Sequence, residues 1–259
     1  MKLSVIIPAH NEEGNISRTV KELYDHLVKN DIPHELVVVN DNSKDRTLEV
    51  LRDLQKEFAT LVIVNNPPPN GFGFAIRKGL ESFTGDAVAT YMADLSDLPQ
   101  DLVKFYQTMK KENVDCVFGS RFMSGATVVD YPKFKYVLNR MANFWIRIFF
   151  GIRYNDVTNA FKLYRRHTIE GLQPFLSHHF NITVELPLKA IVRGYSYKVV
   201  PNSWFNREQG TSNFKVKEMG SRYMFIIFYC LIEKWLSMGD YHRSRTAEIE
   251  QLRTNSKQS

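Results

Sequence analysis

Five short apolar runs, at residues 3–7, 36–39, 61–64, 87–91 and 116–118, alternate with segments whose apolar residues recur at helical spacing. Val20, Leu23, Leu27 and Val28 make one such helical face, and residues 46–58 and 99–111 are similarly periodic. Strands apolar on both faces need cover on both faces, and helices between consecutive strands supply it. The pattern therefore specifies an α/β fold with a βα-repeated parallel sheet. Asn65-Asn66-Pro67-Pro68-Pro69-Asn70-Gly71 reads as a loop. Beyond about residue 120 the alternation stops, and no internal repeat is found.

Two of the runs end in acidic clusters, Asp41-Asn42-Ser43-Lys44-Asp45 and Met92-Ala93-Asp94-Leu95-Ser96-Asp97. Carboxylates at the exits of neighbouring parallel strands face one crevice, where open α/β sheets bind ligands. There they can hold a divalent cation and, through it, a diphosphate. Asp41 follows three valines and Asn40, so its carboxylate emerges at the sheet edge as a nucleotide contact, while Ser43 and Asp45 suit capping of the next helix. At the first strand exit, Pro8-Ala9-His10-Asn11-Glu12-Glu13 exposes backbone and Glu12 to a base or ribose, or is a plain turn capped by Asn11. Gly71-Phe72-Gly73-Phe74-Ala75-Ile76-Arg77-Lys78-Gly79 lacks dinucleotide and Walker spacing. Its small residues let a helix approach the sheet or a nucleotide closely; Arg77 is a phosphate contact or solvated surface.

The 259-residue chain, 44% hydrophobic and 24% charged, is globular and long enough for a large core. Cys116 and Cys230 fit no metal spacing or disulfide framework, and the histidines form no metal constellation. Met1 to Pro8 reads as a strand and not as a signal peptide. The apolar stretch 223–232 is half of the roughly 20 residues a bilayer span requires. A cytoplasmic protein is expected. Of the net charge of +6, five basic residues and no acidic one fall between Tyr131 and Arg153, interleaved with aromatics. A helix over 134–152 would carry Leu138, Met141, Trp145, Ile148 and Ile152 on one face and Lys133, Arg140 and Arg147 on another, which suits a membrane surface. A further apolar helix over roughly 223–236 precedes a polar tail, from Gly239, that is expected to fray. No recognition module for nucleic acid is present, and nothing fixes an oligomeric state.

Taken together, Pro8-Ala9-His10-Asn11-Glu12, Asp41 with Ser43 and Asp45, Gly73-Phe74-Ala75 with Gly79, Ala93-Asp94, Gly119-Ser120-Arg121-Phe122, and Arg207 with Gly210-Thr211-Ser212 resemble a family 2 glycosyltransferase over residues 3–215. The resemblance is to the dolichyl-phosphate mannose synthase-like, polyprenyl-phosphate sugar transferases. It implies a GT-A fold: a Rossmann-like, mainly parallel sheet flanked by helices, here with C-terminal interfacial amphipathic helices. It also implies inverting, metal-dependent transfer from a nucleoside diphosphate sugar, GDP-mannose or UDP-hexose, to a polyprenyl or dolichyl phosphate at the cytoplasmic face of a membrane. By the same resemblance, Pro8, Ala9, Glu12, Asp41, Arg77, Ala93 and Asp94 would meet the nucleotide sugar, and Asp94 would hold Mg²⁺ or Mn²⁺. Arg207 would steady the diphosphate on a closing loop. Arg121, Lys135 and Asn139 would meet the acceptor phosphate. The implied organisation is a catalytic domain over 1–215, with a nucleotide-sugar half (1–122) and an acceptor half (123–215), then a membrane-associated helix (216–238) and a polar tail (239–259).

One departure matters. The family's Asp-x-Asp reads Met92-Ala93-Asp94, and Ser96 stands where a metal-contacting Gln is common. Asp97 is a compensating metal ligand or the cap of a helix starting near Pro99. Loss of that carboxylate also suits a catalytically weak nucleotide-sugar-binding protein. The acceptor has two readings. A phosphate dianion needs only cationic positioning, whereas a saccharide hydroxyl needs a carboxylate base, for which Glu185 is the candidate. Asp156-Val157-Thr158-Asn159-Ala160-Phe161-Lys162 matches a family stretch, usually Asp-x-Thr-Ser-Gly-Phe-Arg, that lines the acceptor side, although a turn after Gly151 explains Asp156 and Thr158 equally.

Overall fold

The computed structural model describes residues 1–206 and 216–244, the side chains of 216–219 excepted. In chain order, β1 (Leu3–Ala9), α1 (Ile16–Lys29), β2 (His34–Asn40), α2 (Thr47–Glu57), β3 (Leu61–Asn65), α3 (Phe72–Ser82), β4 (Ala87–Thr90), α4 (Pro99–Glu112) and β5 (Cys116–Ser120) form the regular half. All five apolar runs are strands. The second half contributes β6 (Val128–Val129), α5 (Lys133–Phe150), β7 (Lys162–Arg165), α6 (Arg166–Gly171), α7 (Ile182–Val192), β8 (Tyr197–Pro201), β9 (Trp204–Phe205) and α8 (Val216–Leu236).

The main sheet runs β3-β2-β1-β4-β7-β5-β8, and β6 pairs with β9 in a separate ribbon. The sheet is mainly parallel. β7 is antiparallel to both β4 and β5, a strand that the sequence reading did not mark within the expected mainly parallel sheet. Its sequence hides it, because Lys162 looks solvated and is in fact buried, donating to Val157 O at 3.0 Å and Thr183 O at 3.1 Å. Burial pulls its pKa down to about 7, and the Asp156 carboxylate opposes that shift.

One face of the sheet packs against Val20, Leu23, Leu51, Leu102 and Phe105 of α1, α2 and α4. The other packs against Ile76, Leu188, Ile226 and Cys230 of α3, α7 and α8. Each fully buried aliphatic side chain contributes about 1.5–3 kcal/mol. Gly79 lets α3 lie close on β1: a Cβ there would stand 2.5 Å from Ile6 Cγ2.

Of the α5 stripe, Met141, Trp145 and Ile148 are exposed, while two expectations further along the chain, for α8 and the tail, change. α5 seats Asn143, Ile146 and Phe150 on the protein, leaving Phe134, Val137, Met141, Phe144, Trp145, Ile148 and Phe149 exposed. α8 is apolar on both sides: Ile226, Ile227, Cys230 and Leu231 are buried, whereas Phe225, Phe228, Ile232, Trp235 and Leu236 are exposed. It is therefore not amphipathic in the expected sense, and its outer face joins that of α5 as an apolar surface. No helix among the described residues is long and apolar enough to cross a membrane. Finally, the start of the tail does not fray. Arg243 N donates to Arg193 O at 2.9 Å, and its guanidinium pairs with Asp115.

Candidate active site

The strand order reverses direction at β1, flanked by β2 on one side and β4 on the other, and the carboxyl ends of these three strands open one crevice. Asp41 N donates to Ala9 O at 2.8 Å and Tyr91 N to Ile6 O at 2.9 Å, so the three exits lie side by side. Pro8, Ala9, Asp41, Ala93 and Asp94 are thereby brought together. Thr19 of α1 donates to Ala93 O at 2.8 Å and fixes the fourth-strand exit from behind.

Asp41 is buried, and its carboxylate accepts from Asn66 Nδ2 at 2.7 Å, Asn70 Nδ2 at 3.2 Å and Gly71 N at 2.9 Å. These bonds tie the proline-rich loop across the crevice. They fill three of about four acceptor positions of a carboxylate, leaving room for one more donor. Asn66 and Asn70 were legible only as loop residues. Glu12 Oε2 accepts from Asn15 Nδ2 at 2.9 Å, and Glu12 N donates to Thr47 at 2.8 Å, so this turn is braced against the start of α2. Asn11 caps no helix: α1 begins at Ile16, and Asn11 Oδ1 accepts from Lys44 N at 2.8 Å. Asp45 Oδ1 accepts from Thr47 N at 3.0 Å and is structural, as expected. Arg77 lies half-buried on α3, and its Nη1 is enclosed without a partner. Gly73 answers to close packing, since a Cβ there would stand 2.4 Å from the backbone of His178.

Asp94 and Asp97 are 6% and 4% exposed. Asp94 Oδ1 accepts from Ser96 N at 3.2 Å, and Ser96 O accepts from Phe205 N at 3.0 Å, which anchors β9 to this turn. Asp97 is not the helix cap: the N-cap position of α4 is Leu98, and no side chain caps it. The Asp97 carboxylate instead turns back under residue 92, accepting a long bond from Met92 N at 3.4 Å. Burial first, and the neighbouring Asp94 charge second, push its pKa up to about 7, against the pull of Arg121. The Asp97 carboxylate, buried beside that of Asp94 and holding only a long bond from Met92 N, suits a cation. No group of three or more metal-ligating side chains stands together among the described residues. Asp94 and Asp97 offer two carboxylates, the number that a Mg²⁺ or Mn²⁺ ion completed by water and phosphate oxygen would ask of the protein.

Beside this turn lies a second cluster. Arg121, 9% exposed, makes a two-pronged ion pair with fully buried Asp156: Nε to Oδ2 at 2.9 Å and Nη2 to Oδ1 at 2.8 Å. Burial would lower the arginine's pKa, but the Asp156 charge outweighs it and raises the value instead. Arg121 Nη1 donates to Tyr131 Oη at 3.3 Å, and Asn139 Nδ2 donates to the same hydroxyl. Lys135 stands one turn before Asn139 on α5, on the same side. Arg121 and Asn139 thus meet at Tyr131, and Lys135 lies on the side of α5 that Asn139 occupies. Tyr131 and the pairing role of Asp156 were missed, because neither has a local sequence signature. Asn143 binds the Asp156 segment through Val157 N at 2.6 Å and Thr158 at 3.1 Å.

Arg207, with Gly210-Thr211-Ser212, lies outside the described residues. Glu185 is fully buried in α7, paired with Lys189 at 2.6 Å and accepting from Leu176 N and Ser177 N at 2.8 and 2.7 Å. It is a core residue, not a base open to a sugar hydroxyl. A surface groove of about 630 Å³ lies by Met1, Pro33 and Lys110, near the amino end of β1 and away from all these residues.

Comparison with known proteins places the chain in a family and a fold. The chain is 30% identical over 223 residues to a dolichol-phosphate mannosyltransferase of Pyrococcus furiosus, covering 84% of this chain and 60% of that protein's length. It is 29% identical over 234 residues to a polyprenol monophosphomannose synthase of Mycolicibacterium smegmatis, covering 84% and 86%. Its fold is that of glucosyl-3-phosphoglycerate synthase from Mycobacterium tuberculosis, crystallised with Mn²⁺, uridine diphosphate and glucosyl-3-phosphoglycerate (TM-score 0.67, 18% identity, 90% of this chain and 79% of that one). Residues 4–172 match the model of glycosyl transferase family 2, and the chain belongs to that family.

Proposed function

We propose that the chain transfers a hexose, with inversion, from a nucleoside diphosphate sugar (GDP-mannose or UDP-hexose) to a polyprenyl phosphate at the cytoplasmic face of a membrane. One observation carries this reading. The carboxylate crevice adjoins the Arg121–Tyr131–Asn139 cluster, which opens onto α5 and its exposed aromatic face. The names of the two sequence relatives support a mannosyl group as the hexose and a polyprenyl phosphate as its acceptor.

In this reading Pro8, Ala9, Glu12 and Ala93 bound the nucleoside, and the remaining acceptor position of Asp41 takes a ribose or base donor. Asp94 and Asp97, with Ser96 in the same turn, would hold Mg²⁺ or Mn²⁺, which neutralises charge on the departing diphosphate. Arg207 and Arg77 are assigned to the donor phosphates. The acceptor phosphate, largely a dianion at neutral pH, is its own nucleophile and needs only to be held in line. A buried, paired Glu185 fits that economy, because a hydroxyl acceptor would require an accessible base. The joined outer faces of α5 and α8, bordered by Lys133 and Arg147, suit a lipid surface. Residues 1–215 would form the catalytic unit.

The test is Asp94→Asn in the purified protein with Mn²⁺, a panel of nucleotide sugars and a short polyprenyl phosphate. Transfer should fall about a hundredfold with an unchanged melting temperature. Near-normal turnover in the folded variant would remove Asp94 from the site.

A further inference from the structure

On the acceptor side, Arg140 is a cation with no ion-pair partner among the described residues. Its guanidinium carbon stands 4.8 Å from the centroid of the Phe122 ring, and that of Arg121 stands 5.5 Å from the same ring. The two cations are not equivalent. Arg121 is spent on Asp156 through both of its prongs. The Arg140 guanidinium has no carboxylate or carbonyl partner among the described residues. One aromatic ring thus gathers two like charges, of which Asp156 matches one, and among the described residues a positive charge is left over. Such an arrangement costs repulsion unless an anion completes it.

The helical stripe expected from sequence also divides here. Lys133 and Arg147 are exposed, as suits loose contact with lipid headgroups, whereas Arg140 is half-buried and drawn in onto Phe122. We propose that Arg140, held against Phe122, supplies the unmatched charge that meets the phosphate monoester of the acceptor, with Arg121 acting as a positioning residue fixed by Asp156. This deepens the proposed function and rests on its acceptor class. A planar guanidinium can grip two oxygens of a phosphate dianion. Stacking on Phe122 restricts the side chain beforehand, so less freedom is lost on binding.

The test uses geranyl phosphate, which needs no bilayer, titrated calorimetrically into the unmodified full chain and into R140Q, R140K and R147Q. UDP and GDP titrations report the donor side, and co-sedimentation with phosphatidylglycerol vesicles reports the headgroup source. R140Q should weaken geranyl phosphate binding about tenfold or more. R140K, which keeps the charge, should recover most of that loss. Nucleotide affinity should be unchanged in both, and R147Q should affect vesicles but not geranyl phosphate. Normal geranyl phosphate binding by R140Q overturns the proposal, as does a defect confined to vesicles, which would make Arg140 a headgroup contact. If the unmodified chain binds nucleotide but not geranyl phosphate, the acceptor class itself fails and this proposal falls with it.

Discussion

Asp156→Asn is the sharpest structural perturbation available near the acceptor side. The carboxylate is fully buried, its partner Arg121 is 9% exposed, and three N–H groups of Arg121 converge on it: the backbone amide at 2.9 Å, Nε at 2.9 Å and Nη2 at 2.8 Å. The amide substitution removes the charge but leaves the guanidinium in place, buried and uncompensated. Breaking a buried pair from one side costs about 3–5 kcal/mol, because the orphaned ion has lost its solvation and gained nothing. For a chain of this size that corresponds to a fall in melting temperature of about 6–20 °C. Urea unfolding of purified protein measures it. Arg121→Met alone should be comparably harmful, and the Arg121→Met/Asp156→Leu double variant should recover more than about 1 kcal/mol over either single change, since apolar replacement of both partners removes the desolvation cost. An Asp156→Asn protein within about 1 kcal/mol of wild type would refute the view that this pair fixes Arg121.

Glu35 gives a pH test remote from the crevice. Burial alone would raise its pKa, but hydrogen bonds from Lys2, Ser4 and Thr84 outweigh it and hold the value down to about 2, against 4.5 ordinarily. Its stabilisation is therefore present above pH 4.5 and lost as pH falls toward 2. Glu35→Gln should be less stable at neutral pH, with the gap to wild type narrowing below pH 4.5; a gap independent of pH would contradict this. At a lipid surface, high salt should release the protein from anionic vesicles only in part, because screening removes the hold of Lys133 and Arg147 but not that of the exposed aromatics. Phe228→Ser with Trp235→Ser should make release by salt complete, and complete recovery of wild type in the supernatant at low salt would count against the surface assignment. Asp97→Asn should weaken Mn²⁺ binding, read by electron paramagnetic resonance in the presence of UDP or GDP; unchanged binding would leave Asp97 without a metal role.

The βα half of the fold was legible because its strands are buried on both faces, so β1, β2 and β4 spell continuous apolar runs. β7 and α7 were not. They bury Lys162, Glu185 and Lys189, charged residues whose partners come from distant or backbone positions invisible to a local pattern. The apolar stripe on α5 reads as a surface for a membrane, and its Met141, Trp145 and Ile148 are exposed, while Asn143, Ile146 and Phe150 seat the helix on the protein; sequence period says that a face is apolar, not what covers it. At the site, strand-end carboxylates were readable from position alone. Asp97 was ambiguous because an acid just before Pro99 looks like a cap, and only the backbone path shows Leu98 in that place. The Arg121–Asp156 pair joins residues 35 positions apart and could be found only in three dimensions.

The central claim is that a phosphate, and not a sugar hydroxyl, is the nucleophile. It is tested most directly by offering the purified protein a nucleotide-sugar panel with Mn²⁺, a short polyprenyl phosphate and a free oligosaccharide together, and identifying the products by mass spectrometry. The account predicts one hexose added to the lipid phosphate, with the oligosaccharide returned unchanged. Extension of the oligosaccharide while the lipid phosphate remains unglycosylated would contradict it.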